Sequence, residues 1–397
     1  MAGLSARIIK SLDMSLNMSQ AKILNVAWIG QGDFGDEAMA YALRKYLQSK
    51  GVESITYYHH GQYPSYQGEN DLAIKKLHTF NVRGFKKKII DYIKLRSFSS
   101  LIIGGGSILH SFNSIKWKLN LIKKMERFTH HKIHSAVVGV SLGPFKNSSD
   151  EKVCQDFLDH IGLAIFRDDY SYQLAKKLTQ NKNLFSSLDT SVYLANQFPG
   201  DFANPHRPED TVGLMFVLNK NKQEFFDKEK YFDKYLKVLN HLLDKNKKVI
   251  LFTFYLGHDY SDIKLNHKLK KFCQNPDNVE LSSFDSDIFA TIKKMKQCGY
   301  IISMRLHGII FAYLLRIPFI SLAYDRKNDN FCRSVNYPSQ MSFSSDHLND
   351  IQPLINSIDT LLASGQSVYR NVMPVVKASK KVLDNFEKLS KLIQAKL

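Results

Sequence analysis

The sequence predicts an α/β protein of two domains, each built on a parallel sheet, facing one another across a cleft. Three observations carry this. Short apolar runs alternate with helix-patterned stretches, as in repeated strand–helix–strand units. A segment at 196–210 (NQFPGDFANPHRPED) holds three prolines and no apolar periodicity, and the same alternation restarts beyond it. The chain of 397 residues also exceeds what one ordinary core holds.

In chain order, residues 1–22 read as a loose, polar leader, and 23–195 as the first domain. Within it, 23–29 is a strand, 36–48 a helix rich in Ala, Met, Leu and Tyr, and 53–58 a second strand. Residues 83–96 read as a basic amphipathic helix, with Phe85, Ile89, Ile90, Ile93 and Leu95 interleaved with Lys86, Lys87, Lys88 and Lys94. Strands are expected at 101–103, entering a triple glycine, at 133–142 and at 163–166. Residues 196–210 are the linker. The second domain, 211–365, has strands at 212–216 and 249–255 flanking a helix at 231–243, then a helix at 286–296. Residues 298–331 follow, reading strand (300–303), turn, buried helix (309–315), strand (318–323). The tail, 366–397, carries a helix with Val382, Phe386, Leu389 and Ile393 on one face, which must pack back on something.

Composition narrows the class. With 44% hydrophobic and 23% charged residues the chain is globular rather than disordered. Its net charge of +18 points to acidic partners: phosphorylated small molecules, nucleic acid or an anionic membrane face. The first twenty residues lack a signal-peptide core, and the longest apolar stretch, 309–324, is broken by Arg316 and Pro318. Cys154, Cys273, Cys298 and Cys332 have no C-x-x-C spacing, which fits a reducing cytoplasm and excludes an obvious zinc or redox motif.

The chemistry concentrates in turns where strands end, the edge at which open parallel sheets bind ligands. Arg305 and His307 share one such turn, R-L-H-G, at a helix N-terminus suited to an anion. The alternative is a structural Arg paired to a carboxylate and a core His. Gly30 to Glu37 (GQGDFGDE) is a second glycine turn, with Gly35 beside Asp36, which suits a helix N-cap as well as a ligand role. Gly104, Gly105 and Gly106 with Ser107 allow a run of exposed amides that can hold an anion or a sugar hydroxyl. Ser141 lies in a third turn and Arg167 in a fourth, where Asp168 or Asp169 caps the next helix. Arg167 and Arg305 at one edge form a clamp for a ligand with two anionic groups. His130, His131 and His134, like His59 and His60, raise metal binding, but a loop meeting a strand is a poor frame for it. The basic helix lacks any nucleic-acid motif, so no specific nucleic acid is expected; a solvated face or membrane contact suits it better.

Taken in order, Trp28-Ile-Gly, Asp33-Phe-Gly-Asp36-Glu37, Gly104-Gly-Gly106, Ser141-Leu-Gly-Pro144, Arg167-Asp168 with Ser171, Asp189, Arg305-Leu-His307-Gly and Tyr324-Asp325 with Lys327 resemble the polysaccharide pyruvyl transferase family. The family often has Asn where this chain has Asp33. The resemblance implies two Rossmann-like domains facing a cleft (GT-B-like). It further implies transfer of the enolpyruvyl group of phosphoenolpyruvate to a sugar or lipid-linked oligosaccharide as a pyruvate ketal. No cofactor or metal is implied beyond that donor substrate. On this resemblance His307 is the general acid or phosphate partner, Arg305 and Arg167 hold carboxylate and phosphate, and Asp36 orients or deprotonates the acceptor hydroxyl. Gly35, Gly104, Gly105, Gly106, Ser107, Ser141 and Lys327 line the substrate site. The expected place is the cytoplasm, with a peripheral contact at the anionic inner face of the membrane. The rivals are a GT-B glycosyltransferase using a nucleotide sugar and a non-catalytic sugar- or nucleic-acid-binding protein of the same fold.

Overall fold

The computed structural model describes residues 22–52, 54–58, 61, 63–66, 73–76, 95–203, 208–217, 228–257, 262–323, 325–344 and 350–394. The leader up to residue 21, His59, His60, Tyr324, part of the expected linker (204–207) and the expected basic helix up to residue 94, with Lys86, Lys87 and Lys88, lie outside them.

Two all-parallel sheets organise the chain. The first has seven strands in the order β3-β2-β1-β4-β5-β6-β7: β1 (Ile23–Val26), β2 (Ser54–Tyr58), β3 (Ala73–Lys76), β4 (Ser100–Leu109), β5 (His134–Leu142), β6 (Leu163–Phe166) and β7 (Leu184–Ser186). The second has six in the order β10-β9-β8-β11-β12-β13: β8 (Thr211–Met215), β9 (Lys248–Thr253), β10 (Val279–Ser283), β11 (Tyr300–Ser303), β12 (Phe319–Ala323) and β13 (Ser342–Ser344). Both are Rossmann-like, and in each the strand order reverses once, between β1 and β4 and between β8 and β11. Ligands bind in the crevice such a reversal opens.

Helices cover both sheets: α1 (Phe34–Ser49), α2 (Phe112–Thr129), α3 (Ser148–His160), α4 (Asp169–Leu178), α5 (Lys228–Asp244), α6 (Asp262–Phe272), α7 (Ile288–Met295), α8 (Leu306–Leu314), α9 (Arg326–Ser334), α10 (Gln352–Ser364) and α11 (Val375–Gln394). Three local outcomes differ from the sequence reading. The cap of α1 is Asp33, not Asp36: Asp33 has extended backbone, and its Oδ1 accepts from the amides of Gly35 (2.8 Å) and Asp36 (3.2 Å). Strand β4 continues through the triple glycine, because the long β5 offers partners as far as Leu142; Gly105 and Gly106 take positive φ, and the register shifts after Gly106. Helix α8 starts at Leu306, so His307 and Gly308 lie in its first turn. A Cβ on Gly308 would come within 2.2 Å of Ser303 Oγ and 2.3 Å of Met215 Sδ, so only glycine lets α8 sit this close to the second sheet.

The domains are tied together at the front of the cleft. The Phe34 amide donates to Phe254 O (3.0 Å) and the Leu256 amide to Gly32 O (3.0 Å). The Phe34 ring packs at 4.5 Å from Phe254 and 4.7 Å from Phe311, so the start of α1 is embedded in the second domain. At the back, α11 returns to the first domain. Val382, Phe386, Leu389 and Ile393 are buried there, with Ser390 Oγ 2.7 Å from Tyr46 Oη.

Candidate active site

At the carboxyl end of β6 the Arg167 guanidinium is buried and tied on three sides. Nε donates to Ser141 Oγ (2.7 Å), Nη2 to Ser107 Oγ (3.0 Å), and Nη1 to Asp189 Oδ2 (3.2 Å). Ser141 passes its own proton to Asp168 Oδ2 (3.0 Å), and Asp168 caps α4 through the Ser171 amide (2.8 Å). The last residues of β4 and β5 and the segment after β7 thus converge on one side chain, and Ser141 belongs to β5 rather than to a turn. Of the five N–H groups of a guanidinium, two on Arg167 stay uncommitted among the described residues.

Asp189 is the hinge of this cluster. Its Oδ1 accepts from the Ser191 amide (3.0 Å) and hydroxyl (2.7 Å), while Oδ2 faces both Arg167 and, at 3.4 Å, His307 Nε2 from the other domain. Burial alone would push this carboxyl up, but His307, Arg167 and Ser191 outweigh it and hold it well below the usual range. The 3.4 Å spacing is longer than a full hydrogen bond. The opposite edge of the imidazole lies over Gly35: a Cβ there would fall 1.7 Å from His307 Nδ1.

Arg305 stands apart from that cluster. Its Nε and Nη2 form a two-pronged pair with Asp262 (3.1 and 2.6 Å), and its guanidinium lies 5.6 Å from the Tyr255 ring centre. Burial raises the Asp262 carboxyl above its ordinary value despite the attraction of Arg305. Each arginine therefore has its own carboxylate, and the fork that sequence reading aims at a ligand is matched to Asp262. Burial raises the Tyr255 hydroxyl above its ordinary value, Asp33 raises it further and Arg305 lowers it.

Asp36 occupies the middle. Burial pushes its carboxyl well above the carboxylate range and Asp33 adds to this; Arg167 pulls it down, Glu37 raises it, and Lys327, near the N-terminus of α9, lowers it. Asp36 also lines a cavity of about 500 Å³ with Gly104, Gly105, Gly106 and Ser107 at the ends of β1 and β4. His307, Arg305, Arg167 and Lys327 do not line that cavity, so the sequence-derived residues divide between it and the inter-domain cluster. Glu37, buried, accepts from the amides of Gly30 (2.6 Å) and Tyr66 (3.3 Å) and holds the glycine turn in place.

A model of the polysaccharide pyruvyl transferase family matches residues 33–326. The chain belongs to this family. The family match runs from the α1 cap Asp33 through Asp36, Arg167, Asp189 and Arg305 to His307, and ends just before Lys327. No curated protein matches by sequence. In structure the chain is similar to UDP-N-acetylglucosamine 2-epimerase from Rickettsia bellii (TM-score 0.58, 11% identity, 95% of this chain and 97% of that one). It is likewise similar to the Neisseria meningitidis UDP-GlcNAc 2-epimerase bound to UDP-GlcNAc (TM-score 0.57, 11%, 92% and 100%). The Anabaena protein HepE in complex with UDP-glucose is a third such structure (TM-score 0.53, 11%, 92% and 99%). At these identities the likeness shows the fold alone, two Rossmann-like domains of GT-B type.

Within the family frame, the residues sequence reasoning did not assign are the two carboxylates that hold the arginines, Asp189 and Asp262. Asp189 appears in the motif order without a role, and Asp262, a buried polar residue that follows four not described, carries no compositional signal. Among the described residues no group of three or more His, Cys, Asp or Glu could hold a metal ion. His130 sits in a left-handed turn ending α2, and His131 Nδ1 lies 2.8 Å from Thr129 O. None of the described helices is long and apolar enough to cross a membrane.

Proposed function

We propose that this chain moves the enolpyruvyl group of phosphoenolpyruvate onto a sugar of a cell-surface polysaccharide or its precursor, forming a pyruvate ketal. The observation that carries the reading is Arg167: buried, oriented by Ser107, Ser141 and Asp189, and keeping two N–H groups for an anion. Asp36 lines the neighbouring cavity, and His307 faces Asp189, the carboxylate that also holds Arg167. With Lys327, Arg167 holds the donor's carboxylate and phosphate, while Arg305, fixed by Asp262, adds positive charge from the rim.

In the reaction His307 gives a proton to the methylene carbon, leaving an oxocarbenium-like centre at C2. A sugar hydroxyl attacks that carbon and loses its proton to Asp36, a group whose environment favours the protonated form. The C2–O bond to phosphate then breaks, and a second hydroxyl of the same sugar closes the ketal. Of the two hydroxyl protons, one is balanced by the new methyl group and the other leaves on inorganic phosphate. No metal takes part in this scheme, and the work takes place in the cytoplasm, where phosphoenolpyruvate is made.

The test is incubation with phosphoenolpyruvate and a set of lipid-linked glycans, following phosphate release and pyruvyl mass gain. His307→Ala is expected to retain donor binding and to lower turnover by about a hundredfold to ten-thousandfold. Tight binding of UDP-sugars with no binding of phosphoenolpyruvate would overturn the reading in favour of a glycosyltransferase.

A further inference from the structure

The cavity at the ends of β1 and β4 has walls that the donor chemistry leaves unexplained. The chain has two tryptophans, Trp28 and Trp117, 89 positions apart in sequence, and both line it. Both are also among the exposed large hydrophobics, at 53% and 39%. Indoles left open to solvent are uncommon, and exposed apolar surface inside a concavity marks a binding site. A volume of about 500 Å³ falls in the range of small-molecule pockets.

The polar groups around these indoles select among ligands. Lys118 is the cation on the wall, but its Nζ already donates to Ser114 Oγ (2.7 Å), Ser114 O (3.1 Å) and Ile108 O (3.2 Å), which uses all three of its protons. Burial lowers its amine to about 8 as well. An anion entering here would meet the Asp36 carboxyl and no uncommitted ammonium, which disfavours a phosphate or nucleotide. A purely apolar chain is disfavoured by Asp36, Ser107 and His110, whose Nδ1 is bound to Ser107 O at 2.9 Å. Behind the cavity, Ala27, Trp28, Asp36, Gly104 and Gly105 also line a smaller recess with Asn25. Asn25 is fully buried, and neither polar atom of its side chain has a partner among the described residues. A ligand with flat apolar faces and a rim of uncharged hydroxyls matches both sets of walls.

We infer that the Trp28–Trp117 cavity is the acceptor subsite and takes an uncharged pyranose ring, stacked on the indoles with its hydroxyl rim toward Asp36. That the bound sugar is the acceptor rests on the proposed function; that the cavity binds a sugar does not. Lys118, bonded to Ile108 and Ser114, ties together the 108–114 wall that carries His110.

Because both tryptophans line this cavity, intrinsic emission reports on it directly. The protein is titrated, without phosphoenolpyruvate, with methyl glycosides of neutral hexoses and N-acetylhexosamines up to about 10 mM. A saturable emission change is expected for at least one glycoside, confirmed by saturation transfer to the sugar protons. Trp117→Ala and Trp28→Ala should each weaken that binding by about tenfold or more, as loss of a stacking anchor does, with phosphoenolpyruvate affinity and melting temperature unchanged. Trp117→Phe should recover part of the loss. No response to any glycoside, or binding that ignores both alanine variants, overturns the subsite. Binding of inorganic phosphate or of a simple alkyl detergent with the same tryptophan dependence, in place of the glycosides, overturns it too. A protein that binds phosphoenolpyruvate but no glycoside keeps the proposed donor and loses this inference. One that binds glycosides at the tryptophans but not phosphoenolpyruvate keeps the sugar site and loses the donor.

Discussion

Gly35→Ala tests the contact between the two domains at its tightest point. The methyl group would fall 1.7 Å from His307 Nδ1 and 2.3 Å from Cγ and Cε1, where ordinary contact needs about twice the shorter distance. The ring has little room to retreat, since its far edge faces Asp189 at 3.4 Å and its side chain is only 12% exposed. Gly35 sits in the first turn of α1 with a helical backbone, so alanine as such is favourable there by up to about 1 kcal/mol. The clash works against this by about 1–3 kcal/mol, the usual cost of overpacking. The single variant should therefore be less stable by up to about 2 kcal/mol. In a His307→Ala background the ring is gone, and the same substitution should instead stabilise slightly. The assay is a double-mutant cycle in urea unfolding and needs no substrate. A coupling of about 1–3 kcal/mol is expected. A coupling below about 0.5 kcal/mol, within the scatter of independent sites, would refute the packing of His307 on Gly35.

Two further outcomes follow from the structure and a third from the sequence. Burial raises the Glu37 carboxyl from an ordinary 4.5 to about 6, so between those pH values the folded chain binds more protons than the unfolded one and stability falls as pH rises. Above pH 6 the full penalty of about 2 kcal/mol is present; Glu37→Gln, which can still accept from Gly30, should flatten that limb in melts across pH 4–7, and an unchanged limb speaks against the assignment. Asp262→Ala removes the carboxylate paired with the Arg305 guanidinium and should cost about 3–5 kcal/mol in unfolding experiments, with Arg305→Lys losing stability as well as donor affinity; a fully stable Asp262→Ala would show that the pair is dispensable. Finally, co-sedimentation with anionic vesicles should be salt-sensitive and weaken when Lys86, Lys87 and Lys88 become Ala, each basic residue contributing about 1 kcal/mol near the surface; no retention even at low salt assigns the charge to another use.

Much of the architecture could be read from apolar runs. β1, β5, β6, β8, β9, β11 and β12 are each largely buried on both faces, and their sequences are near-continuous runs of Ile, Leu, Val, Phe and Ala. The outlying strands could not be read so. β10 is V-E-L-S-S and β13 is S-F-S; they are strands because a neighbour offers a ladder, in register from Val279↔Val249 and Ser321↔Ser342. Helix α2 has the periodicity, with Ile115, Leu119, Ile122 and Met125 buried, but its many lysines dilute the signal. At the site, the turns stood out because glycine, arginine and histidine interrupt apolar runs at strand ends. What those side chains touch was not legible. Arg167 meets Asp189 and Arg305 meets Asp262 across 22 and 43 positions; Trp28 and Trp117 meet one cavity because β1 and β4 are neighbours in the sheet but not in the sequence.

The electrostatics of the site run against those of the chain. The whole protein carries +18, yet Asp33, Asp36, Glu37, Asp189 and Asp262 crowd the cleft and its two arginines are each bound to a carboxylate. A site meant only to attract an anion would leave its cations bare. Bare buried guanidiniums, however, would be costly to hold in the empty protein and free to wander. Pairing fixes each fork before any ligand arrives, so a donor meets oriented N–H groups and loses little to reorganisation. The long-range field of the basic surface then has a separate task, bringing anions to the cleft. On the proposed reading, a polyanionic donor beside Asp36 adds to the repulsion that already comes from Asp33 and Glu37 and raises the proton affinity of this carboxyl further. Burial, Asp33 and Glu37 already favour the protonated form of this carboxyl in the empty protein, and the donor would strengthen its hold on a proton taken from the acceptor hydroxyl.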